Sequence, residues 1–314
     1  MTRITLFSAS ILALTMAACS GPADETGAPE GTSPETETVA PEAAEASEPE
    51  AETAEAATVD AVELIKLDCG SIYVSDLDIF SSAGDYAGQT DTLTDTCWLV
   101  RHPEGNLLWD LGLPGNLVGA GEQTNGVFTV SMDTSLEDQL AAMDLAMADI
   151  DYLAISHSHF DHVGQAGAID ADATEWLVNE SEYDFMFPAD TQEGEASEAD
   201  VDYSAFEPLR HTIIGDDYDV FGDGSVVIFE TPGHTPGHAS LLVNLPETGP
   251  VLLTGDLYHR VESRELKRVP QFNTDEAATL ASMEAFEAKA DELGAKVIIQ
   301  HEPADTDGLP DVMR

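Results

Sequence analysis

The sequence predicts an α/β protein made of two sheets with helices on the outside. Three observations carry this. Short runs rich in Val, Ile and Leu recur and are bounded by Gly, Pro, Asn or Asp. Two segments carry helix start signals and an apolar period near 3.6. The order is strand pairs first, then helix–strand alternation, repeated twice, which suits two sheets covered by helices.

The strand-like runs are 61–66, 72–74, 96–101, 106–110, 152–156, 226–230, 239–243, 251–253 and 296–300. The first helix is expected to start at Thr134, with Glu137 completing a capping box, and to run to about Ala148. Its apolar positions Leu136, Leu140, Met143 and Met147 share one face. The second is expected to be capped by Asn273, with Glu276 at the third helical position and Gly294 just past its end. The stretch 182–210 mixes aromatic and acidic residues and reads as a helical excursion or a lid.

The chain has 314 residues, with 61 Asp or Glu against 11 Lys or Arg, for a formal charge of −50. A free-standing nucleic-acid binder needs a basic footprint, so that class is excluded, as is basic docking on an anionic membrane. The hydrophobic fraction of 43% is ordinary for a folded domain. The acidity fits either a solvated surface or adaptation to high salt.

Residues 1–19 read as an export signal: Arg3 precedes an apolar run too short to span a bilayer comfortably. Ala17-Ala18-Cys19 resembles the lipobox of bacterial lipoproteins, an ordinary cleaved signal peptide being the alternative. This implies a periplasmic or outer-membrane location, with membrane contact only through a lipid on Cys19. Residues 20–60 hold twelve acidic and no basic side chains among Pro, Ala and Thr, and read as a disordered linker. The folded domain is then 61–314. Cys69 and Cys97 are left, either as a disulfide or as two buried thiols, and no C-x-x-C is present.

The chemistry is concentrated in Ser156-His157-Ser158-His159-Phe160-Asp161-His162, which directly follows a predicted strand. Imidazole and carboxylate without thiolate suit Zn²⁺, Fe²⁺, Mn²⁺ or Co²⁺. Thr231-Pro232-Gly233-His234-Thr235-Pro236-Gly237-His238, Thr254-Gly255-Asp256 and Gln300-His301 each end another strand with a potential ligand. Together they supply the inventory of a two-metal site.

His-x-His-x-Asp-His, then Pro-Gly-His, Gly-Asp and a late His, in this order over residues 61–310, resembles the metallo-β-lactamase superfamily. The resemblance implies an αββα sandwich with a dinuclear site at one edge, holding two divalent metal ions, Zn²⁺ first among them. Carried over by position, it gives His157, His159 and His238 to one metal and Asp161, His162 and His301 to the other. Asp256 bridges the two, His234 is left structural, and Asp110 organises its loop.

Within the superfamily, His238-Ala239-Ser240-Leu241, the segment 252–259 and Arg268-Val269-Pro270-Gln271-Phe272-Asn273 look most like the N-acyl-homoserine lactonases. This implies a small-molecule substrate. A metal-bridging hydroxide opens the lactone ring, Asp161 shuttles the proton, and His259 or Tyr258 stabilises the oxyanion. His259 stands where the best-known lactonases carry Tyr. Phe160, Phe185, Met186, Phe187 and Tyr203 are candidates for an acyl groove or plain core. A periplasmic metallo-β-lactamase, a thioester hydrolase and an inactive metal-binding surface protein are the alternatives. Against the thioester hydrolases, only 13 residues follow His301, where they carry a helical glutathione-binding domain. Arg260, Arg264, Lys267 and Arg268 form a basic strip, read as pairing with the acidic shell or holding a polar head group.

Overall fold

The computed structural model describes residues 59–188 and 201–314. The predicted signal, its lipobox and the linker up to residue 58 lie outside the described residues.

Among the described residues, fourteen strands form two sheets. The first comprises β1 (Glu63–Val74), β2 (Asp91–His102), β3 (Gly105–Trp109), β4 (Gln123–Asn125), β5 (Phe128–Ser131), β6 (Tyr152–Ala154), β7 (Glu175–Asn179) and β8 (Arg210–Ile214). The second holds β9 (Tyr218–Asp219), β10 (Val226–Glu230), β11 (Ala239–Leu245), β12 (Gly249–Leu253) and β13 (Lys296–Ile298). The short β14 (Val312–Met313) returns to pair with β1. The first sheet runs β4-β5-β1-β2-β3-β6-β7-β8 and the second β13-β12-β11-β10-β9. The helices are α1 (Leu136–Ala141), α2 (Phe160–Val163), α3 (Glu180–Met186), α4 (Val261–Leu266), α5 (Glu276–Leu293) and α6 (Pro303–Thr306).

Strand alternation assigns the layers. On β2, Trp98 and Val100 face the second sheet, whereas Cys97 and Leu99 face a cluster containing Leu136 and Leu140 of α1 and Met186 of α3. On β11, Leu241, Val243 and Leu245 join the layer between the sheets, and Leu242 meets Met283 and Phe286 of α5. Both sheets are therefore buried on both faces, which is why their strands read as apolar runs. The resulting order is helix, sheet, sheet, helix, the expected αββα sandwich.

Three local expectations are corrected. Runs 61–66 and 72–74 are one strand, β1, whose register shifts between Asp68 and Gly70. The first helix is capped by Ser135 rather than Thr134, and it ends at Ala141 rather than near Ala148. Asp275, not Asn273, caps α5, accepting from the Ala278 N–H. Gly294 ends α5 in the left-handed conformation, as expected. The stretch after residue 179 forms α3 and a turn at Ser204–Phe206, with 189–200 outside the described residues. Cys69 and Cys97 form a disulfide across β1 and β2, a link that typically contributes about 2–4 kcal/mol by restricting the unfolded chain.

Candidate metal centre

Four strand ends meet at one rim of the sandwich. β6 leads into the loop carrying His157, His159, Asp161 and His162. β10 leads into the loop 231–238, β12 into Gly255-Asp256, and β13 into Gln300-His301. Gly255 has φ +54, and a Cβ there would lie 2.7 Å from His238 Nε2 and 2.8 Å from Ser156 Cβ. Only glycine allows Asp256 to pass so close beneath these loops.

Two groups of potential ligands converge. His157, His159, His234 and Asp256 form one; Asp161, His162 and His301 form the other. Within each group the ligand atoms lie within 4.8 Å of one another. His159 Nδ1 is 2.9 Å from His157 Nε2 and 3.0 Å from His234 Nε2. One lone pair cannot satisfy both neighbours. His162 and His301 face each other through their Nε2 atoms at 3.1 Å. Each donates its Nδ1–H elsewhere, His162 to Asp110 Oδ2 at 3.0 Å and His301 to the Thr94 carbonyl at 2.8 Å. In the neutral rings these two lone pairs repel, and a proton or a cation between them relieves the contact.

Asp256 reaches both groups. Its Oδ1 is 2.9 Å from His301 Nε2 and 3.3 Å from His162 Nε2, and its Oδ2 is 3.4 Å from His234 Nε2 and 3.5 Å from His157 Nε2. Although His301 is close, Asp256 Oδ1 is buried without an aligned hydrogen-bond donor, and His234 Nδ1 is also buried and unpartnered. Burial disfavours charge on Asp256, but His259, His301, His162 and His157 outweigh it and hold the carboxyl well below its usual range. Burial likewise opposes charging His301, yet Asp256 and Asp161 push it up to about 9. His157 and His159 go the other way, burial and neighbouring imidazoles holding them well below the usual value. Buried, unsatisfied imidazole and carboxylate donors of this kind fit a divalent cation.

In place of the expected His238, the structure groups His234 with His157, His159 and Asp256. His238 donates Nδ1–H to the Thr231 carbonyl at 3.0 Å, and its Nε2 accepts the Asp256 N–H at 2.9 Å. Both ring nitrogens are used, so no lone pair remains for a metal. His238 instead fixes the backbone of Asp256.

Asp110 acts as a loop organiser. Held at φ +63, it accepts from the Ser156 N–H at 2.6 Å and from Gln300 Nε2 at 2.8 Å, besides holding His162. Gln300, not singled out beforehand, also accepts from Trp109 Nε1 and the Gly255 N–H, each at 3.0 Å. It therefore joins the Asp256 and His301 loops to the Asp110 turn. A buried Gln next to a late His was the available signal.

Above the cluster lies an apolar cavity of about 200 Å³, walled by Ile72, Phe80, Leu93, Phe128, Phe160 and Phe272, with His159, Asp161, Asp256, His259 and His301 at its base. Phe160 is in this wall, but Met186, Phe187 and Tyr203 pack into the core beside Trp176, and Phe185 is not in the wall. His259 is buried at the cavity edge, its Nε2 3.0 Å from Asp256 Oδ2. Tyr258 is corrected: it points away, into the α5 cluster, and donates to Glu287 at 3.0 Å. Burial, then Glu287, drives its pKa far above the usual phenol value. His102 pairs with Asp223 and His211 stacks on Tyr183, both remote from the rim.

Residues 91–301 match the profile of the Metallo-beta-lactamase superfamily. The N-acyl homoserine lactonase AttM of Rhizobium radiobacter is 32% identical over 218 residues, covering 66% of this chain and 81% of that protein. An N-acyl homoserine lactonase of a Bacillus species is 32% identical over 194 residues, covering 60% and 72%. Among solved structures, an N-acyl homoserine lactone hydrolase with N-hexanoyl-L-homoserine bound at its catalytic metal center superposes with a TM-score of 0.68. Its identity is 26%, and the match covers 79% of this chain and 96% of that one.

Proposed function

The chain belongs to the metallo-beta-lactamase superfamily and is a lactonase-like metallo-hydrolase, and from that premise we propose that it opens the ring of N-acyl-homoserine lactones, quenching such signals. The observation that carries the reading is the convergence of seven imidazole and carboxylate groups beneath an apolar cavity with no Lys or Arg among the described residues that line it. Such a cavity favours a neutral substrate with a hydrocarbon tail over an anionic one.

His157, His159 and His234 would hold one divalent cation and Asp161, His162 and His301 a second, with Asp256 between them and Zn²⁺ suited to the donor set. When bound, the pair supplies Lewis-acid polarisation of the ester carbonyl and a water acidified toward neutrality. The residues do the rest. Phe80, Phe128 and Phe272 exclude water and align the acyl chain. His259 Nε2–H is the donor for the oxygen on which negative charge develops. Asp161, at the cavity base, receives the proton of the attacking water at its carboxylate and returns it to the departing alkoxide, giving the ring-opened hydroxy acid.

Export and lipid attachment at Cys19 are part of the same proposal. The Cys69–Cys97 disulfide supports them, because such links persist in oxidising compartments.

The test is proton release by the metal-loaded protein on acyl-homoserine lactones, simple lactones, a cephalosporin and a glutathione thioester. Turnover of the acyl-homoserine lactones is expected. Strong turnover of the cephalosporin with none of the lactones would overturn the reading.

A further inference from the structure

Glu182 belongs to neither group of candidate ligands, yet it is 2% exposed and its carboxylate accepts four hydrogen bonds. Oε1 takes the Ser158 N–H at 2.7 Å and the Ser158 hydroxyl at 2.6 Å. Oε2 takes the Thr235 hydroxyl at 2.7 Å and the Gly237 N–H at 3.0 Å. Ser158 stands between His157 and His159, and Thr235 directly follows His234. One carboxylate thus joins the two loops that supply all three imidazoles of the first group.

Local helix stability does not account for this arrangement. Glu182 is the third residue of α3, and Asn179 caps that helix by accepting the Glu182 N–H at 2.9 Å. A glutamate at this position normally turns back to the N–H of the cap residue. Here its side chain leaves the helix and reaches both loops. Asn179 adds a donor from Nδ2 to the Gly237 carbonyl at 2.5 Å. Gly237 lies flush on the start of α3: a Cβ there would be 2.2 Å from both Asn179 Oδ1 and the Glu182 nitrogen. The second group has supports that do not involve Glu182, His162 resting on Asp110 and His301 on the Thr94 carbonyl, while the Ser156 hydroxyl, 3.1 Å from both His157 Nδ1 and His162 Nδ1, links the two groups.

We propose that Glu182 is a positioning residue whose buried carboxylate sets the spacing of the loops 157–159 and 234–237, so that His157, His159 and His234 converge on one cation. The proposal rests on the reading of the cluster as a two-cation centre. Burial raises the pKa of Glu182, and the hydrogen bonds from Ser158, Thr235 and Gly237 oppose that rise.

The experiment titrates chelator-stripped full-length protein with Zn²⁺ and with Co²⁺, reading equivalents bound, affinity and the Co²⁺ visible spectrum, alongside the melting temperature of the stripped protein. Wild type is expected to bind two equivalents. Glu182→Gln should keep one at wild-type affinity, weaken the other by roughly 10–100-fold and alter one part of the Co²⁺ spectrum. Thr235→Val, which removes one of the four hydrogen bonds, should weaken the same equivalent by a smaller factor. Unchanged affinities and spectrum in Glu182→Gln overturn the proposal, as does equal weakening of both equivalents in step with a lowered melting temperature. Should Glu182→Gln not fold, Thr235→Val decides on the same criteria. A wild-type protein that binds no divalent cation is a separate outcome: it removes the metal-centre reading itself, and the proposal with it.

Discussion

Two charged clusters lie close in sequence and are built on opposite principles. At the rim, Asp256 and five imidazoles are packed together almost out of water, with polar atoms aimed at one another and several left without a partner. In the strip that begins four residues later, every basic side chain has its own carboxylate. Arg260 meets Asp91 and Glu262, Arg264 meets Glu287, Lys267 meets Glu284, and Arg268 meets Asp85. The strip is partly exposed, from 14% for Arg260 to 51% for Lys267, and solvent-exposed pairs contribute only about 0–1 kcal/mol each. Pairing with the acidic shell, not capture of a head group, is therefore its arrangement. The rim cannot be read as a stabilising feature, because burying unsatisfied polar groups costs free energy unless something compensates. Charges that are exposed and mutually satisfied serve the surface; charges that are buried and mutually frustrated suit a metal centre.

The largest effect should separate the two clusters by activity. Asp161→Asn keeps the size and hydrogen-bonding reach of the side chain but cannot carry a proton. Turnover of an acyl-homoserine lactone should fall by roughly 10²–10⁴-fold, the usual contribution of a placed acid–base group, with cation content retained. Lys267→Gln, in the strip, should leave turnover unchanged. Steady-state rates and metal analysis on both variants check this, and near-normal turnover in Asp161→Asn would remove it from the proton path.

The next effect is thermodynamic. If the rim is frustrated without cations, supplying them should stabilise the fold. A ligand at a hundred times its dissociation constant adds about 2.7 kcal/mol, which is roughly 5–11 °C in melting temperature for a domain of this size. Thermal unfolding of the stripped protein, with and without added Zn²⁺, measures the shift. A melting temperature indifferent to chelator and Zn²⁺ alike would break the comparison, leaving the rim as an ordinary buried polar network.

The rim was largely legible in sequence because its candidate ligands come at strand ends in compact motifs, four of them within the six residues 157–162. What was not legible has physical causes. His234 and His238 occupy equivalent places in one repeated Thr-Pro-Gly-His motif, and what separates them is which ring nitrogens find partners. Those partners, the Thr231 carbonyl and the Asp256 N–H, are set by tertiary structure. Tyr258 and His259 are adjacent, but the extended backbone at Tyr258 sends the two side chains to opposite sides, one to α5 and one to the cavity. The cavity wall draws Phe80, Phe128 and Phe272 from three distant segments, so no local pattern marks it. In the fold, β1 was split because the irregularity at Asp68 and Gly70 interrupts its alternation. Glu182 was hidden for a related reason: a glutamate near a helix start has a common local role, and only the loops above it reveal another.

The smallest effect probes the strip by itself. Arg264 grips Glu287 through two hydrogen bonds of 2.8 Å, and Tyr258 adds a third donor at 3.0 Å. The Arg264 hydrogen bonds hold the Glu287 carboxyl below its ordinary range against the opposing effect of partial burial. A depressed carboxylate stabilises the fold at pH values above its unfolded pKa, and that contribution is lost as pH falls through the lower, folded value. A double-mutant cycle of Arg264→Gln and Glu287→Gln isolates the pair from the surrounding acidic shell. The coupling at pH 7 and low salt should be about 0.2–1 kcal/mol. It should shrink in molar NaCl, where charges are screened within about 3 Å, and disappear in acid once Glu287 is protonated. Urea unfolding of the four proteins at two pH values and two salt concentrations provides the measurement. A coupling of several kcal/mol, or one that persists unchanged in acid, would mean that this pair behaves like the buried rim and that exposure does not divide the two clusters.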